Sequence, residues 1–135
     1  MDDLVRWLRA QLDEDERTAR AASWTGDANT WHAEPSPYGA RNGGQRWYVE
    51  DAMDDGVVSH VDPAASDDEG VARHIAEWDP ARVLREIDAK RRTLIRCEEA
   101  MLSANPMLVH FAKQTAWEMA QPFADRPGYQ ESWRP

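Results

Sequence analysis

The stretch "EWDPARVLREIDAKRR", residues 77–92, decides the fold, because a helix start and a helical apolar rhythm stand side by side in it. Asp79 precedes Pro80: a carboxylate there accepts from the orphan N–H groups of a first turn, and a proline at the first helical position gives up no hydrogen bond. From that point Leu84, Ile87, Arg91, Leu94, Cys97 and Met101 recur three or four residues apart. This spacing predicts one long helix over 80–101, roughly 33 Å at 1.5 Å per residue, about the diameter of a domain of this size. Leu84, Ile87, Leu94 and Met101 form its core stripe, interrupted by Arg91, while Val83 and Ile95 lie off the stripe.

Working toward the N-terminus, Val71, Ile75 and Trp78 predict a short helix that stops before Pro80. Residues 50–69 before it hold Glu50, Asp51, Asp54, Asp55, Asp62, Asp67, Asp68 and Glu69 with no Lys or Arg, so nearly all of the net charge of −9 sits in this acidic segment. "QRWYVEDAMDDGVVSHV" reads as a hairpin, with Trp47, Tyr48 and Val49 on one strand, Val57, Val58 and Val61 on the other, and Asp55-Gly56 at the turn. "NTWHAE" predicts a further strand that Pro35 and Pro37 stop, and "RNGG" a turn. At the start, Asp2 and Asp3 suit a helix N-terminus; Leu4, Leu8 and Leu12, widened by Val5 and Trp7, carry a helix over 1–22. Its outer face pairs Asp13 with Arg17 and Glu16 with Arg20, four residues apart.

Toward the C-terminus, Asn105-Pro106 repeats the opening device of Asp79-Pro80. Leu108, Phe111, Ala112, Thr115 and Met119 carry a third long helix to Gln121-Pro122, and residues 122–135 read as an extended tail anchored by Tyr129 and Trp133. The sum is a single domain over 1–135 of the α+β class, predominantly α: three or four helices packed with a two- to three-stranded antiparallel sheet from residues 29–61. A chain of 135 residues with 41% hydrophobic and 30% charged residues, and seven tryptophans, has the material for a core.

Three blocks resemble a known family: "MDDLVRWLRAQLDEDERTARAA" (1–22), "HIAEWDPARVLREIDAKRRTL" (74–94) and "PFADRPGYQESWRP" (122–135). They cover under half the chain and are similar to an actinobacterial and actinophage family of small proteins of unknown function. The resemblance implies a setting in high-GC actinobacteria and their phages, and no catalytic residues. Relatives carry several Cys and His between the long helix and the tail, resembling a small metal site. This chain has only Cys97 and His110 there, so it is not expected to bind what they bind in the same way.

The candidate chemistry is sparse. Asp51, Asp55, Gly56 and Asp62 partly fit a calcium loop, but Met53 takes a ligand position, Asp62 is shorter than the bidentate Glu required, and the flanks are strand-like; a hairpin with a polar tip fits better. His74 and Glu77 share a helix face and want His110 or His60 to complete a site, without recognisable zinc spacing. Cys97 shares a face with Leu94 and Met101 and reads as a small buried hydrophobe. There is no nucleophile with a paired base and no phosphate loop. The expectation is no enzyme, no cofactor and no metal.

Outside the acidic segment the charge is nearly balanced, which argues against direct nucleic-acid binding, and no apolar run reaches a membrane span. The N-terminus lacks the basic-then-apolar pattern of a signal peptide and the single cysteine cannot form an internal disulfide, so a cytoplasmic location is expected. The expected function is a non-catalytic binding or assembly module, a homodimer or a partner of a host or phage protein. The expected contact surface is Val83, Arg91, Ile95, Trp24, Trp31, Trp133, Asp67, Asp68 and Glu69. The alternatives are a metal- or ligand-binding regulator and an acidic inhibitor mimicking nucleic-acid phosphates toward a host enzyme.

Overall fold

A computed structural model describes residues 1–41, 44–61 and 68–135. They form α1 (Asp2–Ala21), β1 (Trp31–Arg41), β2 (Gly44–Asp51), β3 (Gly56–Val61), α2 (Asp68–Glu77), α3 (Pro80–Met101) and α4 (Pro106–Ala120), with short 3-10 turns at Asp27–Asn29, Gln121–Phe123 and Glu131–Trp133. The class is α+β, predominantly α, with a three-stranded antiparallel sheet in the order β1-β2-β3. No helix among the described residues is long and apolar enough to cross a membrane. The chain divides into two compact units, Met1–Glu16 with Arg85–Pro135, and Arg17–Leu84.

In the Arg17–Leu84 unit, β1 pairs with β2 from Trp31 opposite Asp51 to Arg41 opposite Gly44. β1 does not stop at Pro35 as expected but runs through both prolines. It is an edge strand, where a missing N–H costs no ladder bond, and its register shifts between Pro35 and Ala40. The "RNGG" turn falls partly on residues 42–43, outside the described residues. β2 and β3 form the expected hairpin, with Trp47 opposite Val61 and Val49 opposite Val58. One face of the sheet holds Val49 and Val61 against Ala72 and Ala76 of α2, flanked by Trp31, Ala33, Trp47, Val57, Val58, Val71 and Ile75. Two alanines on the facing stripe let the helix lie close to the strands.

Asp79 closes this unit. Its Oδ1 accepts from Arg82 N at 2.8 Å, capping α3, and its Oδ2 accepts from Trp31 N at 3.0 Å, fixing the start of β1. Pro80 occupies the first turn of α3, as the sequence implies. Trp78 is not a core residue: it is 45% exposed, with the Arg82 guanidinium over its ring.

In the other unit, α1 and α3 run antiparallel, since Arg9 pairs with Glu98 near one end and Arg91 with Asp13 and Glu16 near the other. Leu4, Val5, Leu8 and Leu12 of α1 and Ile87, Leu94 and Cys97 of α3 are buried, whereas Met101, and Leu84 at the end of the Arg17–Leu84 unit, are only half-buried. Asn105 caps α4 by accepting from Met107 N at 3.0 Å, ahead of Pro106. The buried stripe of α4 is Ala112, Ala116 and Ala120, not the larger residues; Leu108 and Phe111 are exposed.

The tail is pinned by aromatic contacts rather than extended. Trp7 of α1 meets the rings of Phe123, Tyr129 and Trp133 at centroid distances of 6.4, 5.8 and 5.2 Å, and its indole Nε1 donates to Pro127 O at 3.0 Å. Arg126 reaches Asp15 at 2.5 Å. The turn at Gly128 needs a positive φ of 85°, which glycine adopts freely.

Candidate functional site

Strand alternation builds the most chemically loaded surface. With Trp31, Ala33, Trp47 and Val49 facing α2, the intervening His32 and Glu34 of β1 and Tyr48 and Glu50 of β2 take the opposite face. The register sets His32 opposite Glu50 and Glu34 opposite Tyr48. His32 Nε2 lies 2.9 Å from Glu50 Oε1 and 3.8 Å from Glu34 Oε1.

The hairpin turn contributes Asp54. The buried Asp51 accepts from Met53 N at 2.8 Å and Asp55 N at 3.1 Å through its Oδ1, and its carbonyl accepts from Asp54 N at 3.0 Å. Held this way, Asp54 takes a φ of 62°, a left-handed conformation that Asp tolerates better than most residues. Its carboxylate then joins His32 and Glu50, with one donor atom from each lying within 4.8 Å of the others. Burial, and then the charges of Glu50, Glu34 and Asp54, push the Tyr48 phenol above its ordinary range. Chemically this is a set of one imidazole and three carboxylates around a partly open surface. Of this set, His32, Glu50 and Asp54 could hold a metal ion, and among the described residues it contains no Ser, Thr or Cys placed as a nucleophile.

None of these residues was selected from the sequence as a metal ligand. Asp51 spends its Oδ1 on two backbone N–H groups of its own turn, and Asp62 lies outside the described residues. His74 stands beside Trp78 with ring centroids 6.2 Å apart, and His110 beside Phe111 at 6.2 Å. Cys97 is buried; burial, and secondarily Glu98, raise its thiol above the usual range.

The expected contact residues fall into different environments. Trp24 and Ile95 are 68% and 50% exposed, and Val83 is half-buried. Arg91 is committed within its own unit, to Asp13 Oδ1 at 2.6 Å and Glu16 Oε2 at 2.8 Å, bonds that raise its already high pKa. Trp31 is half-buried, its Nε1 donating to Ala28 O at 3.0 Å. Trp133 is a correction: it is buried against Trp7 and Tyr129, because the tail folds back instead of presenting it. Asp67 lies outside the described residues; Asp68 and Glu69 begin α2, and Glu69 pairs with Arg73 at 2.8 Å.

The exposed apolar surface lies elsewhere, at the corner joining α3 to α4. Leu102, Met107, Leu108 and Phe111 are 89%, 61%, 46% and 61% exposed. Met107 and Phe111, and Leu108 and Phe111, are neighbours on one helix face. The signal for this surface was present in "MLSANPMLVHFA", residues 101–112, which contains no Asp, Glu, Lys or Arg. Beside Leu102 a groove of about 390 Å³ is lined by Asp2, Val5, Arg6, Arg9, Glu98 and Met101.

No curated protein and no solved structure shows significant similarity to the chain. A family model described as a family of unknown function, DUF6221, matches residues 1–135, and the chain belongs to that family.

Proposed function

We propose that the protein is a non-catalytic assembly module that pairs with a second copy of itself through the α3–α4 corner. The observation that carries this reading is the exposure of Leu102, Met107, Leu108 and Phe111 together, in a chain of which 30% is charged. Contiguous exposed apolar surface on a soluble domain marks contact sites. Charge favours a second copy as the occupant. A two-fold contact sets each residue against the same surface of its partner, so any net charge meets its own sign. In a chain of net charge −9, the uncharged run 101–112 is where two copies meet without that cost.

The half-exposed Ile95 extends the same surface along α3. Arg91 does not, being bound to Asp13 and Glu16. The lack of a paired nucleophile and base among the described residues supports a non-enzymatic role, the charge balance outside residues 50–69 supports the absence of direct DNA binding, and the resemblance of the three sequence blocks supports an accessory role in an actinobacterium or one of its phages.

Light scattering across a concentration series is the test. The wild type is expected to be a dimer and the Phe111→Glu and Leu102→Glu variants monomers with unchanged circular dichroism. A monomeric wild type, or a dimer indifferent to both substitutions, refutes the reading.

A further inference from the structure

We infer that the outer face of the sheet holds a single divalent first-row transition-metal ion, with His32 Nε2, Glu50 and Asp54 as its protein ligands and Glu34 at its edge. The argument starts from charge. Three carboxylates converge on one histidine, and among the described residues that histidine is the partner the ion pairs of Glu34 and Glu50 both share. A converging negative cluster is stabilised by a cation placed at its centre.

Geometry follows. Nitrogen and oxygen donors sit about 2.0–2.2 Å from a zinc-sized ion, so two donors of one ion are separated by at most roughly 4.4 Å. The three donor atoms here lie within 4.8 Å of one another, so closure requires movement of a few tenths of an ångström. The exposed Asp54 can supply it by a side-chain rotation. The 2.9 Å contact between His32 Nε2 and Glu50 Oε1 is already the separation of two adjacent ligands in one coordination sphere. Two of the ligands are locked by strand pairing directly opposite each other, and the third by the turn that Asp51 organises.

Donor chemistry sets the class of ion. Calcium and magnesium prefer oxygen throughout, whereas an imidazole among carboxylates suits zinc, manganese or ferrous iron. With three firm protein ligands and a partly exposed setting, the ion keeps positions for water or a small anion. The site lies wholly within the Arg17–Leu84 unit and does not depend on the pairing proposed for the α3–α4 corner.

The experiment is titration of the whole chain with Zn²⁺ and Mn²⁺ by calorimetry, with Ca²⁺ and Mg²⁺ as controls. The expected result is one ion per chain, with His32→Gln and Asp54→Asn each weakening binding at least about tenfold. Asparagine keeps the left-handed turn at position 54, so a folded variant is retained. As a check independent of any variant, zinc added to the wild type should shift the ring resonances of His32 and not those of His74 or His110. Absence of zinc and manganese binding below about 1 mM, binding unaffected by either substitution, equal preference for calcium, or zinc-induced shifts confined to another histidine would each overturn the assignment.

Discussion

Replacing Asp79 by alanine removes two hydrogen bonds from one side chain that is only 8% exposed. The first is the cap on α3, Arg82 N to Oδ1 at 2.8 Å, and losing a cap of this kind costs ~1 kcal/mol. The second is Trp31 N to Oδ2 at 3.0 Å; deleting it strands a part-buried donor at the start of β1, at ~1–3 kcal/mol. The two losses together give about 2–4 kcal/mol. With an unfolding entropy near ~2.1 cal/mol/K per residue, a chain of 135 residues loses roughly 3–4 °C of Tm per kcal/mol, so the drop should be about 7–14 °C. Asp79→Ser separates the two terms, because a serine oxygen still caps the helix but does not span to Trp31. Calorimetric melting of wild type, Ala and Ser variants should place Ser about midway. An Ala variant melting within about 2 °C of wild type would refute the dual role, and a Ser variant matching wild type would show that the Trp31 bond contributes nothing.

Ile87, 3% exposed on α3, should cost about 2–5 kcal/mol on truncation to alanine, read as a lowered urea midpoint with an unchanged slope. Gly128→Ala should destabilise by more than the ~1 kcal/mol of a left-handed alanine. Its Cβ would stand 2.9 Å from Trp7 Nε1, so a red-shifted tryptophan emission should accompany the loss. For Tyr48 the folded phenol ionises above its ordinary pKa of 10.0, so its contribution to stability is full below that pH and is lost as pH rises through the folded value. Wild type should therefore lose melting temperature relative to Tyr48→Phe above pH 10, and a difference that stays constant there would contradict the burial of the phenol and the charges of Glu50, Glu34 and Asp54 around it.

Helix starts were legible because capping is local. Asp79-Pro80 and Asn105-Pro106 carry their own signal, and both helices begin where those pairs place them. The course of β1 through Pro35 and Pro37 was not legible, since a proline stops a central strand but not an edge one, and edge status follows from strand order rather than from residues 31–41. The buried face of α4 was not legible either, although its helical rhythm was. Leu108 and Phe111 outweigh alanine in apolar content, yet Ala112, Ala116 and Ala120 are the buried stripe. Trp133 was read both as an anchor of the tail and as a contact residue, because a Pro- and Gly-containing tail offers no periodicity to decide between them; the burial that makes it an anchor depends on Trp7, far away in sequence.

The proposed cation site was half visible. Alternation alone puts His32 and Glu34 on one face of their strand, and Tyr48 and Glu50 on one face of theirs. Bringing His32 opposite Glu50 takes the register, and aiming Asp54 at them takes the left-handed turn, neither of which is written in any short stretch. Arg91 shows the converse. Its interruption of an apolar stripe was visible, but its partners Asp13 and Glu16 sit on another helix and read there as half of local pairs with Arg17 and Arg20.

The aromatic anchorage of the tail bears on how the chain is made. Trp7 finds Phe123, Tyr129 and Trp133 only after more than a hundred intervening residues have been synthesised. During translation the N-terminal helix therefore emerges first and completes its contacts last, while residues 17–84, which make up the other unit, are released in one continuous run. Until the tail is made, Trp7 lacks its ring partners and the carbonyl of Pro127 to which its indole donates. This interval is when a stalled or shortened chain is most exposed to chaperones and proteases.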